Sequence, residues 1–285
     1  MGTTIPFSVL MSVYQKEQPA YLRECLLSLE NQTEKPTEYV IVADGPLTQA
    51  LDQELEAFKE RTSIPVNIYQ FEENRGLGEA LADGVKLAQS PWIARMDTDD
   101  IARSDRFECQ VAYLKEHPDV ALLGSNVDEF MTTPAEVTAH KVVPESQADI
   151  LDYAKRRNPF NHMTVMYRKD AVLAAGNYQP LPGYEDYYLW VRMLKQGVVA
   201  HNLQEALVYA RADQAMYQRR GGFSYLRSGI SAYNQIYRVG LAKPTDWLVR
   251  MAGQLVVNLM PNRWRQSFYQ KALRHKKASA ETDDR

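Results

Sequence analysis

The chain has 285 residues with 33 basic and 36 acidic side chains, and 45% of its residues are apolar. This balance is that of an ordinary globular protein, so it excludes collagen-like, disordered and disulfide-framework chains. The net charge of −3 hides an asymmetry, because residues 1–246 sum to −8, residues 247–277 to +7 and residues 278–285 to −2. An acidic body gives no reason to expect nucleic acid as a partner.

The first residues lack the basic start of a signal peptide, and no apolar run approaches the ~20 residues that a membrane-spanning helix needs. We therefore expect a cytoplasmic protein, or one that lies on the inner face of the cytoplasmic membrane. Cys25 and Cys109 fall in segments with a helical apolar pattern, and both are expected to be buried free thiols.

Short apolar strands alternate with amphipathic helices in the first half of the chain. The predicted strands are 7–13, 39–43, 66–71, 92–96 and 119–124. The predicted helices begin at Pro19 and then span 49–60, 77–88 and 103–116. This alternation predicts an α/β fold with a mostly parallel sheet covered by helices on both faces.

After residue 125 the alternation becomes irregular, with one further strand predicted at 163–168 and a helix at 185–196. We predict two halves that share one sheet, at about 1–125 and about 126–220. A C-terminal helical segment, 221–285, follows them. Ligands of such sheets bind outside the carboxyl ends of the strands, so the polar residues that follow each strand are the candidates for a site.

The densest acidic stretch follows the strand predicted at 92–96 and contains Asp97, Asp99 and Asp100. If the chain stays extended, Asp97 and Asp99 point to the same side at the edge of the sheet. Converging carboxylates favour a hard divalent cation. The alternative is an acidic turn that caps the helix predicted from residue 103, with Asp100 or Ser104 as the N-cap.

Two further acidic positions have a structural and a functional interpretation. Asp44 follows the strand 39–43 and precedes Gly45, so it is either a turn residue or part of the site. Glu185 and Asp186 begin the helix 185–196, where they either complement the helix dipole or supply a general base. The aromatic side chains around this pair suit stacking on sugar rings.

Other ligand-binding motifs are excluded by the residues present. An EF-hand loop fails because Ile101 and Ala102 stand where it needs Asp or Asn and then Gly. No glycine-rich dinucleotide fingerprint and no P-loop sequence occurs. Asn74, Arg75 and Gly76 at a predicted helix start could hold an anion through backbone N–H groups, but this is a weak pattern.

Together these segments resemble the family 2 glycosyltransferases of the GT-A fold, in particular the bacterial enzymes that build exopolysaccharide, capsule or lipopolysaccharide. The resemblance runs from about residue 6 to residue 220. The segments that carry it are 8–14, 42–45, 94–101, 105–107 with Gln110, 158–162 and 185–190. It implies that residues 1–220 form a GT-A catalytic domain, with a nucleotide-binding half at about 1–125 and an acceptor-side half at about 126–220.

The resemblance also implies roles for the matching positions. Asp44 would bind the base, usually uracil, and Asp99 would hold Mn²⁺ or Mg²⁺ on the diphosphate, with Asp97 beside it and Asp100 as an alternative ligand. Asp186, next to Glu185, would be the general base. The residues expected at the nucleotide site are Ser12, Tyr14, Asp44, Arg75 and Asp97.

Several other side chains are candidates with open alternatives. Arg219 and Arg220 either lie on the diphosphate in a mobile loop or are solvated. His162 is either a structural hydrogen-bonding residue or a contact for the acceptor or metal, and Trp190 is a candidate acceptor contact. Arg95 is expected to be a structural partner for a local carboxylate.

The implied activity is an inverting, metal-dependent transfer of a sugar from a nucleoside-diphosphate sugar, with UDP favoured, to a glycan or lipid-linked acceptor. A sugar-1-phosphate nucleotidyltransferase is the alternative enzyme, but residues 12–20 contain no glycine for its triphosphate loop. A non-catalytic glycan-binding or scaffold protein is the other alternative. It is disfavoured because all the carboxylates of the family pattern are present.

The basic segment 247–277 has two interpretations. Its first part places Arg250 on a polar stripe, with Trp247, Leu248 and Met251 on the opposite, apolar side. Such a basic, Trp-containing amphipathic helix is typical of a membrane interface and would meet anionic lipid. Alternatively, the segment forms helices that pack on the catalytic body or on a second subunit.

Overall fold

The computed structural model describes residues 5–212 and the backbone of 223–259, with side chains described from 229 to 253 in the second range. The strands are β1 Phe7–Val13, β2 Glu38–Ala43, β3 Val66–Gln70, β4 Trp92–Arg95, β5 Ile101–Ala102, β6 Val120–Phe130, β7 Val137–Lys141, β8 Met166–Arg168 and β9 Val199–Arg211. The helices are α1 Pro19–Glu30, α2 Gln49–Arg61, α3 Leu77–Leu87, α4 Arg106–Glu116, α5 Gln147–Ala154, α6 Lys169–Ala174, α7 Glu185–Lys195, α8 Phe223–Arg238 and α9 Pro244–Leu259.

The described strands form one sheet in the order β3-β2-β1-β4-β8-β6-β9-β5, and β7 pairs with β6. The first four strands pair in parallel. Beyond them, β8 is antiparallel to both β4 and β6, whereas β6 and β9 are parallel. The carboxyl ends of β1 to β4 therefore meet at one edge, as the predicted α/β fold requires, and Asp44 and Asp97 follow β2 and β4 at that edge.

Both faces of the central strands are buried, which explains their continuous apolar runs. All six residues of β2 and six of the seven of β1 are buried. One face of the sheet packs on α1, α2 and α4, and the other packs mainly on α3 and α7. Gly84 in α3 faces Leu10 so closely that a Cβ would come within 2.3 Å of Leu10 Cδ1, which brings this helix tightly onto the sheet.

The predictions differ from the structure mainly after β4. The strand predicted at 119–124 extends to Phe130, and it pairs with β9, which was not predicted. The strand predicted at 163–168 is shortened to β8 by a 3-10 turn, His162–Thr164. The alternative prediction, in which Asp100 or Ser104 is the N-cap of α4, is wrong. Residues 101–102 pair with β9 as a short strand, and the helix begins only at Arg106.

The C-terminal helices pack on α7. The ring of Tyr233 in α8 lies 5.3 Å from the ring of Tyr184 and 6.2 Å from that of Tyr187, both at the start of α7. Met251 of α9 is buried in the same cluster. None of the helices in the described ranges is long and apolar enough to cross a membrane.

Candidate active site

The acidic residues after β4 lie in a turn rather than in an extended strand. The strand ends at Arg95 and residues 98–99 turn, so the argument from strand alternation does not apply to Asp97 and Asp99. Asp97 forms an ion pair with the buried guanidinium of Arg95, which confirms the expected structural role of Arg95. Asp100 is buried, and its Oδ1 accepts the backbone N–H of Arg211 at 2.8 Å.

Asp99 is crowded by neighbouring negative charges. Burial raises the pKa of Asp99 to about 7, with further contributions from the negative charges of Asp97 and Glu17. Burial also raises the pKa of Asp100 well above its ordinary value, and Asp99 and Asp97 add to that effect. A nearby cation stabilises the charged form of crowded, partly desolvated carboxylates of this kind.

The donor set fits a divalent cation that a substrate helps to bind. Within the described residues, no three His, Cys, Asp or Glu side chains converge to hold a metal ion by themselves. Mg²⁺ sites with one or two protein carboxylates are common where substrate phosphates supply other ligands. Asp99 has no ion-pair partner among the described side chains, whereas Asp97 is paired with Arg95. Asp99 is therefore the carboxylate best placed for such a cation.

Two side chains that sequence reasoning missed hold this turn. Glu17, in the loop after β1, accepts a hydrogen bond from Thr98 Oγ1 at 2.6 Å. Arg211, at the end of β9, donates from Nε to the Asp99 carbonyl at 3.2 Å, and its guanidinium lies 3.9 Å from the centre of the Tyr21 ring. The Cys25 thiol donates to the Asp97 carbonyl at 3.2 Å. Of the two cysteines, Cys25 is buried as expected, but Cys109 is partly exposed.

Asp44 organises the loop that precedes α3. Its carboxylate accepts the Arg75 N–H at 2.6 Å, the Gly76 N–H at 3.0 Å and Nδ2 of Asn74 at 2.9 Å. Gly45 lies against the same loop, and a Cβ there would approach the Asn74 nitrogen to 2.8 Å at a φ of +90°. The backbone N–H groups of 75 and 76 thus bind a carboxylate of the chain itself rather than facing an open anion site.

The other residues predicted at the nucleotide site lie around the same sheet edge. Ser12 is half-buried near the end of β1, and Tyr14 is exposed just after it. The Arg75 guanidinium turns toward the surface of α3, where it pairs with Glu79 and Asp83 and lies 4.4 Å from the centre of the Phe71 ring. Arg219 and Arg220 lie outside the described residues.

Asp186 begins α7 in a defined orientation. Its Oδ2 accepts a hydrogen bond from Asn158 Nδ2 at 2.6 Å, and its Oδ1 accepts the Tyr187 N–H at 2.7 Å. The Asn158 amide is itself oriented, because its Oδ1 accepts the Phe160 N–H at 3.2 Å. Burial raises the pKa of Asp186 above its ordinary value, and these two hydrogen bonds oppose the rise. Such a carboxylate is suited to accepting a proton.

Glu185 is less accessible than Asp186. Its side chain packs over Gly78 at the start of α3, where a Cβ on Gly78 would lie 3.0 Å from Glu185 Cγ. Burial raises the pKa of Glu185 as well. The close contact explains why α3 carries glycine at this position, and it packs the Glu185 side chain against α3.

His162 is half-buried and Trp190 is fully buried. His162 Nε2 is 3.0 Å from the Tyr178 hydroxyl, and burial together with the charge of Arg95 lowers the pKa of His162 well below its ordinary value. Trp190 has no exposed surface, and its ring packs on those of Phe160 and Tyr178. The prediction of Trp190 as an acceptor contact is therefore corrected, because a sugar ring cannot reach a buried indole.

Arg95 connects the two carboxylate groups electrostatically. Its guanidinium is buried, and Nε has no hydrogen-bond partner among the described residues. Its positive charge lowers the pKa values of Asp99, Asp100 and Asp186, opposing the effect of burial at each of them. The acidic turn after β4 and the start of α7 therefore lie within the field of one buried cation.

A mostly parallel sheet with an acidic turn at its strand ends and an oriented carboxylate on a neighbouring helix is the arrangement of the GT-A glycosyltransferases. The chain belongs to glycosyl transferase family 2, whose model matches residues 8–173. The predicted family membership and the glycosyltransferase activity are confirmed.

Two relatives match nearly the whole chain. The amylovoran biosynthesis glycosyltransferase AmsE of Erwinia amylovora is 39% identical over 269 residues, which cover 93% of this chain and 98% of the relative. The UDP-Gal:alpha-D-GlcNAc-diphosphoundecaprenol beta-1,3-galactosyltransferase of Escherichia coli is 35% identical over 271 residues, which cover 95% of this chain and 98% of the relative.

Two solved structures share the fold. Staphylococcus aureus TarS 1–349 in complex with UDP-GlcNAc has a TM-score of 0.64 at 20% identity, covering 93% of this chain and 75% of that chain. Mannosyltransferase PcManGT from Pyrobaculum calidifontis in complex with GDP-Man and Mn²⁺ has a TM-score of 0.64 at 15% identity, covering 92% of this chain and 72% of that chain. At these identities the likeness shows the fold alone, and it confirms the predicted GT-A fold.

Proposed function

We propose that this chain transfers a sugar from a UDP-sugar to a lipid-linked glycan in the synthesis of a bacterial cell-surface polysaccharide. The observation that carries the proposal is the orientation of Asp186 by Asn158 and the Tyr187 N–H, in the field of the same Arg95 that pairs with Asp97. The choice of UDP and of a lipid-linked acceptor is supported by the printed name of the 35% identical galactosyltransferase.

Asp186 acts as the general base. It takes the proton of the acceptor hydroxyl while that oxygen forms a bond to C1 of the sugar and the bond from C1 to the diphosphate oxygen breaks. The products are the extended glycan, the nucleoside diphosphate and protonated Asp186, which returns its proton to solvent. Because the attack is a single displacement with no covalent enzyme intermediate, the configuration at C1 is inverted.

Asp99 would hold Mn²⁺ or Mg²⁺, with Asp97 toward the ribose and Asp100 fixing the turn from within the fold. When bound, such a cation neutralises negative charge on the diphosphate leaving group. Arg211 and Cys25 donate to backbone carbonyls of the turn, and Glu17 accepts a hydrogen bond from the Thr98 hydroxyl, so the Asp99 carboxylate is presented before substrate arrives. This preorganisation reduces the cost of ordering the site on binding.

A donor screen tests the proposal. Purified protein is incubated with Mn²⁺, an undecaprenyl-diphosphate-linked sugar and a set of UDP-, GDP- and dTDP-sugars, and nucleoside diphosphate release is followed by mass analysis of the lipid product. We expect release and a lipid product heavier by one sugar with a UDP-sugar. Binding of nucleotide without turnover on any donor would instead favour the non-catalytic glycan-binding alternative. In a parallel incubation with a nucleoside triphosphate and a sugar 1-phosphate, formation of a nucleotide sugar and pyrophosphate would favour the nucleotidyltransferase.

A further inference from the structure

One face of α9 is apolar and is not covered by any of the residues that the structure describes. Leu248 and Val249 are each 59% exposed, and they are the most exposed large apolar side chains in the described part of the chain. Ala252, one turn further along, is also exposed. Positions i, i+1 and i+4 share one face of a helix, so these three side chains form a continuous outward face.

The inward face of α9 differs from the one that the sequence predicts. Trp247 and Met251 pack on α7 and α8, and the Arg250 guanidinium lies 4.1 Å from the centre of the Tyr233 ring. Leu248 therefore does not share the side of Trp247 and Met251, and Arg250 is engaged with the protein rather than free for a lipid headgroup. The outward residues of the described part of α9 carry no charge; they are Pro244, Thr245, Leu248, Val249, Ala252 and Gly253.

The sequence that follows this face is strongly basic. From residue 247 to residue 277 there are seven basic side chains and no acidic ones, and all but Arg250 follow α9. An apolar helix face next to a basic segment is the combination that binds anionic membrane surfaces. A second copy of the chain fits less well, because a two-fold interface would bring two equally basic segments together.

We propose that the outward face of α9, with the basic segment after it, docks on an anionic bilayer surface. The proposal rests on the proposed function, because a lipid-linked acceptor is confined to such a surface. The apolar side chains of this face enter the boundary between headgroups and acyl chains. The basic residues that follow it in the sequence lie outside the described part of the chain, and they supply charge complementary to lipid phosphates.

The docking face is tied to the site through a short chain of contacts. Asp246, at the start of α9, is buried and pairs with Arg156 at 2.6 Å. Two residues after Arg156, Asn158 donates its hydrogen bond to Asp186. Docking of α9 therefore acts on the segment that orients the Asp186 carboxylate.

Vesicle co-sedimentation of the full chain tests the proposal. We expect binding to vesicles of phosphatidylglycerol and phosphatidylcholine to exceed binding to pure phosphatidylcholine at least tenfold, and to weaken as salt is raised. The double variant Leu248→Asp/Val249→Asp should lower binding to the anionic vesicles at least tenfold. A matched control, Met131→Asp/Val142→Asp, places the same charges on side chains that are 51% and 47% exposed elsewhere and should bind as the wild type does.

Two further measurements separate the alternatives. Leu248→Ser/Val249→Ser removes the apolar groups without adding charge, and it should also bind at least threefold more weakly. Equal vesicle binding by both α9 variants and the wild type would overturn the docking face, and a wild-type dimer that these variants dissociate would assign the face to a second copy. Sugar transfer to a water-soluble acceptor without vesicle binding rejects the docking alone, whereas vesicle binding without transfer to any acceptor rejects the proposed function.

Discussion

Removal of the Asn158 side chain tests how the proposed base is held. Asn158 Nδ2 donates to Asp186 Oδ2 at 2.6 Å, a hydrogen bond to a group that must be charged in order to accept a proton. Hydrogen bonds to charged groups contribute about 1.5–3 kcal/mol, so we expect Asn158→Ala to lower kcat/KM roughly ten- to 150-fold.

The pH dependence distinguishes this role from a purely structural one. Burial already raises the pKa of Asp186, and the Asn158 hydrogen bond opposes that rise by stabilising the carboxylate. Without the donor the pKa rises further, so the base is deprotonated only at higher pH. The acidic limb of the kcat/KM profile in Asn158→Ala should therefore move to higher pH.

The assay is the rate of nucleoside diphosphate release from pH 5 to pH 9, with the melting temperature measured alongside. Asn67→Ala is a matched control, because Asn67 Nδ2 donates to the Glu38 carboxylate at 2.8 Å away from the strand-end site. It should leave the shape of the profile unchanged. An Asn158→Ala protein that is folded, with wild-type kcat/KM and an unshifted acidic limb, would refute the reasoning.

Three other predictions concern the carboxylate turn, the Asp44 loop and His162. Asp99→Asn should weaken Mn²⁺-dependent UDP binding at least tenfold by calorimetry and leave Mn²⁺-independent binding unchanged; equal loss with and without the metal would contradict its role. Gly45→Ala should lower the free energy of unfolding by more than the ~1–2 kcal/mol expected from positive φ alone, and by more than Gly183→Ala, which also has positive φ but no atom within 4 Å of its Cβ. Because the pKa of His162 is lowered in the folded state, the unfolded chain binds its proton first, so stability should fall below about pH 6.5 by up to ~1.4 kcal/mol per pH unit. Urea unfolding of His162→Gln should lack that contribution, and an identical pH dependence in both proteins would contradict it.

The first half of the fold follows from local pattern. β1 spans 7–13 as predicted, and α2 differs from its prediction by one residue. The apolar run of β1 reflects burial of the strand on both faces, and the helical spacing of apolar residues in α2 reflects burial of one helix face on the sheet. β9 was missed because polar side chains interrupt its pattern. Among them, Asn202 donates to the carbonyls of Pro144 and Pro159, so it satisfies loop backbone inside the fold.

The candidate site was predictable at its acidic residues but not at the groups that support them. Glu17 and Arg211 contact the turn across 81 and 111 residues of chain, and no local spacing reports such contacts. The spacing of apolar residues around Trp190 indicates that its side chain lies in the core. Tyr187, Trp190, Val191 and Leu194 recur at i, i+3, i+4 and i+7, which is the pattern of a helix face packed on a sheet. The aromatic residues of the same segment also suit contact with a sugar, and this second pattern led to the wrong prediction for Trp190.

The central claim is that Asp186 removes the proton of the acceptor hydroxyl, and Asp186→Asn tests it most directly. The variant keeps the size and shape of the side chain but cannot take up a proton as the carboxylate does. In a transfer assay with saturating UDP-sugar, Mn²⁺ and lipid-linked acceptor, the account predicts a loss of about 10²- to 10⁴-fold in kcat, with UDP binding unchanged by calorimetry. Transfer by Asp186→Asn at the wild-type rate would contradict it.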